Sequence, residues 1–462
     1  MTRLGIAIVL VAAPAVAAAQ AADDHSAADV ASAPLPGDES GRIDRQPGDS
    51  ALRELARGAL FVPKLLTDAT LEPLRGAVWV EDHYQLEDLY YRTFFNRDRT
   101  FGIFPSGTYE TGYGGTIGAE LVHHDLLGHH EHLELLATTG AAFGELYRAD
   151  TLAAFDTGDR FGRWQFGIEG NFNRRPGDPF YGIGNGNLRS TAPDMPIDPR
   201  VDPTAVSVTY KYQEARTSAY ADVRPFGAFH VRTTGELTDL EFGRGETGPA
   251  IDEVYAPMGL VGFGGVRHLY GELELRYDRR HRGSIYDPAG LRSEGLLAVS
   301  YLGRVHELED YPDFWHYGGQ VQQLWRLGNG PQTLATRLYV EAVSGSRDQV
   351  PFAELPELGG GELLRGYDFA RFRDRVAAYG SVEYGWGLSD AFDAALFVDA
   401  GRVYPSLDDL TLDDLRVGYG LALDFYQGSG FAAEGTVATS IDGGIFFSLS
   451  FNPVWDARPR WR

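Results

Sequence analysis

In the stretch YGSVEYGWGL, Val382, Tyr384, Trp386 and Leu388 alternate with Glu383, and in AFDAALFVDAG, Phe392, Ala394, Leu396 and Val398 alternate with Asp393, Phe397 and Asp399. A strand sends successive side chains to opposite faces, so each segment has one apolar face and one face that carries acid. Ser389-Asp390 between them reads as a hairpin-like turn, which sets Glu383 and Asp399 on adjacent strands and on the same face. Arg365 stands in the loop-like stretch ahead of both. A guanidinium suits enclosed carboxylates, because its planar fork keeps its charge and bonds a carboxylate through two parallel contacts. The bare residues equally allow an ordinary exposed loop arginine.

Other chemistry is poorly supported. HHDLLGHHEH places His123, His124, His129, His130 and His132 close together, but the spacing matches no helix-borne zinc motif. A turn between the first two strands with surface imidazoles is the plainer reading. The chain has no cysteine, which removes disulfides, cysteine-ligated zinc, a thiol nucleophile and a lipidated cysteine. No G-x-S-x-G elbow is present, and no carboxylate is paired by sequence with a nucleophile. The expectation is a protein that is not an enzyme and has no cofactor, no metal site and no catalytic residue. A net charge of -24, from 41 basic and 65 acidic side chains, repels polyphosphate and argues against a nucleic-acid partner.

The elements that would carry these residues change along the chain. Met1-Thr2-Arg3, the apolar run from Leu4 to Ala19 and the small residues of Ala19-Gln20-Ala21 read as a signal peptide over 1–21. Residues 22–48 are rich in Ala, Asp, Ser, Pro and Gly and read as a disordered leader. From Asp49, Leu52, Leu55, Ala59 and Leu60 recur at helical spacing, with breaks near Pro63 and Pro73, so 49–99 is expected to be an amphipathic helical periplasmic segment. Beyond residue 100, Gly and aromatics become frequent, and segments of roughly ten residues alternate apolar with polar.

The alternation is regular. Trp164, Phe166, Ile168 and Phe172 oppose Gln165, Glu169, Asn171 and Asn173; Leu269, Leu273, Leu275 and Tyr277 oppose Glu272, Glu274, Arg276 and Asp278. Leu334, Leu338 and Val340 oppose Arg337 and Glu341, and Leu415 to Phe425 oppose Arg416 and Asp424. A soluble sandwich gives the same periodicity. The signal peptide, the strand lengths, the long polar loops and the absence of any apolar helix long enough to span lipid together favour a transmembrane barrel, in which every backbone group is satisfied.

Three motifs in order sharpen this. Leu364-Arg365-Gly366-Tyr367 after Gly359-Gly360-Gly361 resembles the (V/L)-R-G-(F/Y) loop signature of the BamA/TamA-type outer-membrane barrel superfamily, the bacterial surface antigen family. Phe397, Asp399 and Gly401 fit its F-x-D-x-G strand motif, and SVEYGWGL is similar to its strand with an inward Glu. FYGIGNGN (180–187) and YDRRHRGSIYDPAGLRSEG are also similar to barrel segments of that family. The resemblance implies an all-β, transmembrane antiparallel barrel of about 16 strands over 100–452, with a tail at 453–462. It also implies that Arg365, with Asp399 and secondarily Glu383, latches a loop inside the lumen.

In GGIFFSLSF, Phe447, Leu449 and Phe451 resemble the closing strand and its targeting signal, although residues follow Phe451 where the family commonly ends on an aromatic. Residues 22–99 show no β-α-α-β-β order, so POTRA domains are expected to be absent. The implied function is assistance in inserting or translocating proteins at the bacterial outer membrane, with outer-membrane lipids and unfolded outer-membrane or secreted clients as partners. A passive pore or structural surface barrel is the alternative. The sequence leaves the homo-oligomeric state open.

Overall fold

Period-two alternation becomes a closed wall. The structure, a computed structural model, describes residues 86–450 apart from 113, 141–147, 191–192, 247, 281–293, 310, 328–331, 389–391 and 428–429. The expected signal peptide, leader, most of the helical segment and the tail lie outside the described residues. Among the described residues one helix, α1 (Leu86–Phe94), precedes the barrel.

The strands follow in order: β1 (Phe101–Glu110), β2 (Gly114–His123), β3 (His132–Gly140), β4 (Ala149–Asp156), β5 (Trp164–Phe180), β6 (Val208–Phe226), β7 (Phe229–Arg244) and β8 (Val266–Asp278). Then come β9 (Gly295–Glu307), β10 (Phe314–Arg326), β11 (Gln332–Val343), the short pair β12 (Glu357–Leu358) and β13 (Phe372–Arg373), β14 (Val376–Gly387), β15 (Phe392–Tyr404), β16 (Arg416–Gln427), β17 (Gly430–Ser440) and β18 (Phe446–Ser450). A short helix, α2 (Ile251–Val254), sits between β7 and β8. All strands but β12 and β13 form one closed antiparallel barrel of sixteen strands, each paired with its chain neighbour, with β1 against β18. The expected fold class is the one observed.

The wall is apolar outside and polar inside, the pattern of a barrel that crosses lipid. On β15, Leu396 and Val398 are 55% and 51% exposed, whereas Phe397 between them is 2% exposed. Leu269, Leu273 and Leu275 likewise lie exposed on the outside, while Glu274 is buried in the lumen. Among the described residues no helix is long and apolar enough to cross a membrane.

The two ends differ. The connections 181–207, 245–265 and 344–375 gather at one end, and the two-residue turn Gly227–Ala228 belongs to the other. The longest loops on one side and mostly short connections on the other are what outer-membrane barrels show at their extracellular and periplasmic faces. The long loops share a hydrophobic core that includes Phe180, Tyr210, Ile251, Tyr255, Phe314 and Phe352. At the opposite end α1 folds back on the first strand. Phe95 stacks on the lumen-facing Phe104 at 5.7 Å, Tyr90 lies 6.0 Å from the same ring, and Phe95 bridges to Gly102.

Two expectations change. The histidine-rich stretch lies between β2 and β3, not between the first two strands. Glu131, buried there, accepts the Leu127 and His129 amides at 3.0 and 3.1 Å, so a carboxylate organises the turn. Among the described residues no cluster of His, Cys, Asp and Glu has the arrangement of a metal site. FYGIGNGN, expected as a barrel segment, leaves the wall at Phe180 and continues as a loop. Its positive-φ glycines, Gly182 and Gly184, turn the chain inward, where Gly184 N–H donates to the Arg373 carbonyl at 2.7 Å. The expected barrel segment around 281–293 lies outside the described residues.

Candidate functional site

The connection 344–375 folds into the lumen, and the β12–β13 pair holds its two arms together through Glu357↔Arg373 and Leu358↔Phe372. At its tip, Leu364 and Gly366 both adopt positive φ, 64° and 95°, which turns the Arg365 side chain toward the wall. The tip is pressed close against β16 and β17. A Cβ on Gly366 would overlap the Thr439 carbonyl, and one on Gly418 would overlap the carbonyl of Arg365 itself. Only glycine suits both positions, one for its dihedral and one for its missing side chain.

Arg365 is 1% exposed. Its Nε donates to Asp399 Oδ2 at 2.9 Å and its Nη2 to Asp399 Oδ1 at 3.0 Å, the two parallel contacts of a bidentate pair. Nη1 donates to Glu383 Oε2 at 2.9 Å, and the Arg365 backbone amide donates to Asp399 Oδ2 at 2.9 Å. The structure thus brings together Arg365, Asp399 and Glu383, which the sequence placed in a loop and on two strands. Register explains the geometry: Ser381 faces Asp399 and Glu383 faces Phe397 across β14 and β15.

Ser381 and the ring of Phe397 complete the cage. Ser381 Oγ donates to Asp399 Oδ1 at 2.7 Å and accepts from Arg365 Nη2 at 3.3 Å. The guanidinium carbon lies 3.4 Å from the Phe397 ring centroid, a cation–π contact that desolvation strengthens. Gly401, the last motif residue, leaves the space that Leu358 Cδ1 fills. Buried ion pairs of this kind contribute little net stability, because desolvation offsets the attraction. They specify one seating of the loop, since each partner left alone would be an uncompensated buried charge.

The same loop reaches further. Tyr367 O–H donates to Asp442 Oδ2 at 3.1 Å, and Arg416 Nη1 donates to the same oxygen at 2.8 Å. Burial, then the charge of Asp442, pushes the Tyr367 phenol up to about 12. Arg416 Nη2 reaches the Asn185 carbonyl at 2.6 Å, and Asn185 Nδ2 donates to the Val403 carbonyl at 2.6 Å. Leu364 is buried against Leu358 and Phe372. On the other flank, the Gly361 amide donates to Glu110 Oε1 at 2.9 Å.

Glu110 ends β1, and β1 meets β18 through Tyr109↔Leu449 and Glu110↔Ser448, the two register pairs among the described residues. Thr111 extends this seam, its N–H donating to the Phe447 carbonyl at 2.9 Å and its Oγ1 accepting the Phe447 N–H at 2.9 Å. Phe447 and Leu449 face outward on the closing strand, and Phe451 lies outside the described residues. Sequence reasoning did not find Ser381, Gly418, Asp442, Asn185 or Glu110. Gly418 and Gly420, alternating in RVGYGLA, were the one local signal, a stripe without side chains on a lumen face.

Comparison with known proteins agrees with this architecture. Residues 275–431, the part of the chain that carries the latch and its strands, match the Omp85 superfamily domain. The barrel is similar to BamA from Haemophilus ducreyi lacking POTRA domains 1-3, at 14% identity and a TM-score of 0.51, covering 76% of this chain and 69% of that one. CdiB from Acinetobacter baumannii is 14% identical with a TM-score of 0.46, covering 75% of this chain and 59% of that one. CdiB from Escherichia coli is 12% identical with a TM-score of 0.48, covering 75% and 62%. The chain thus spans under two thirds of either CdiB. No curated protein sequence matches it.

Proposed function

From a sixteen-strand barrel with an Omp85 superfamily domain, we propose a non-catalytic bacterial outer-membrane protein that assists insertion or passage of other proteins. The seam between β1 and β18 serves as the opening, and the latched loop holds it shut. The observation that carries this reading is the loop's position. One flank bonds Glu110 on β1 and the other bonds Asp442 beside β17, so a single loop straddles the two sides of the seam. An opened seam exposes strand edges, and an unfolded client strand pairs with such an edge through its backbone.

A closed structural barrel is the second reading, favoured by the hydrophobic core that unites the long loops over one end. The two separate on one measurement: the rate at which an unfolded client barrel inserts into liposomes containing this protein, with wild type and Arg365→Ala compared at equal verified folding. Acceleration by the wild type that the substitution alters supports an insertase. No acceleration with any of several clients leaves the structural barrel.

A further inference from the structure

Away from the latch, one inward row of the wall crosses four strands. Arg216 of β6, Thr238 of β7, His268 of β8 and Glu307 of β9 stand directly opposite one another in turn. The first two are engaged. Arg216 bonds Glu214 and lies 3.4 Å from Glu236, and Thr238 Oγ1 donates to Glu236 Oε1 at 2.7 Å. The other two differ. Glu307 is 6% exposed and His268 3%, yet among the described residues neither Glu307 carboxylate oxygen has a hydrogen-bond partner, nor has His268 Nδ1. Native proteins leave few buried polar groups unpaired, because each one costs its full desolvation. An enclosed carboxyl without a cation beside it escapes most of that cost by keeping its proton.

Acid surrounds Glu307. Burial, then the charges of Glu354 from the inner loop and of Asp313 and Glu309 from the connection to β10, pushes its carboxyl up from 4.5 to about 8. The cations close in sequence are turned away. Arg304 and His306 bond Asp313 on the outer side of the wall, and Arg267, next to His268, bonds Asp239 there. Charge facing outward at this level sets it above the hydrocarbon zone, since a charge facing lipid is tolerated near the interface and not at the midplane.

Glu354 ends the short 3-10 turn Phe352–Glu354, on the first arm of the loop that carries Arg365. Phe352 packs in the core of the long loops, 5.4 Å from Tyr210 and 5.5 Å from Phe180, and its carbonyl accepts Arg373 Nη1 at 2.8 Å, which joins the two arms. We propose that Glu307 is a proton-operated seat for this loop: protonated, it lets Glu354 stay close, and ionised, it repels Glu354 and loosens the first arm. A carboxyl whose value is raised by seating favours the seated loop fully below pH 4.5, and that preference is lost as pH rises to 8, by at most tenfold per pH unit. Such a seat works in an insertase and in a structural barrel alike.

The test is spin-label electron paramagnetic resonance on the full chain in detergent. Gln349 is exposed on the first arm, and Gln349→Cys takes a single nitroxide because the native chain has no cysteine. Heat-modifiable electrophoretic mobility verifies that each variant is folded. In the labelled parent the mobile fraction should rise as pH is raised from 5 to 8 and level off above. With Glu307→Gln added it should stay low throughout. Glu354→Gln, which removes the opposing charge, should shrink the rise, and it decides alone if Glu307→Gln does not fold. A mobile fraction constant from pH 5 to 9 in the parent overturns the seat. So does a rise that either substitution leaves unchanged.

Discussion

The Gly361 amide donates to the Glu110 carboxylate at 2.9 Å, which fastens the Arg365 loop to the strand that begins the barrel. Its other flank is fastened to Asp442, between the strands that end it. Arg365, bonded to β14 and β15, sits between these two fixings. The loop is thus fixed on both sides of the seam between β1 and β18, and the predictions below test whether its seating and the closure of the seam are coupled.

Arg365→Ala leaves Asp399 and Glu383 as buried carboxylates without their cation. Breaking such a pair costs on the order of 3–5 kcal/mol, less where lumen water reaches the site. The expected result is a lower unfolding temperature by heat-modifiable mobility and faster proteolysis within 344–375. Arg365→Lys should recover little, because a point charge cannot bond Asp399 twice and Glu383 once.

Gly418→Ala tests the seating without touching charge. The added methyl would occupy the space of the Arg365 carbonyl, so the loop tip must withdraw although every ion-pair partner remains. The same proteolytic sensitivity is expected. Combined with Arg365→Ala, the effects should fall well short of additive, as they do for groups acting through one contact.

A covalent seam is the complementary test. Tyr109 and Leu449 are directly opposite across β1 and β18, and the native chain has no cysteine to compete. Tyr109→Cys with Leu449→Cys should crosslink under mild oxidation. If the seam is the client route, client insertion should stop on oxidation and return on reduction, while the barrel remains folded throughout.

The β2–β3 turn should respond to acid. Burial, then the neighbouring His132 and His123, lowers the His124 imidazole from 6.5 to about 4. Its ring stacks on His132 at 5.1 Å. A folded-state value below the unfolded one means that the turn's stability is fully present above pH 6.5 and is lost as pH falls toward 4. Proteolysis at residues 124–131 should accelerate across that window. His124→Phe should keep the stack and flatten the response.

Much of this architecture is legible without coordinates, because a strand alternates its faces whatever its partner. The outward Leu396 and Val398, the inward Phe397 and Asp399, and the match of Glu383 to the same face all follow from spacing across a short turn. The barrel class needs more than alternation, which a soluble sandwich shares: the signal peptide, the strand lengths and the long polar loops supply it. Arg365 was identifiable as a candidate cation by its motif and by the chemistry of its fork.

What only the tertiary structure decided is which distant segments meet. Asn185 with Val403, Gly361 with Glu110, Tyr367 with Asp442 and the Phe95 ring over β1 each join residues whose spacing carries no periodic signal. Register between strands fixes those meetings, and register depends on the closed ring as a whole. FYGIGNGN illustrates the difference. Its composition suits a strand, yet two positive-φ glycines and the Arg373 carbonyl pull it off the wall and into the loops, a competition that only the assembled barrel settles.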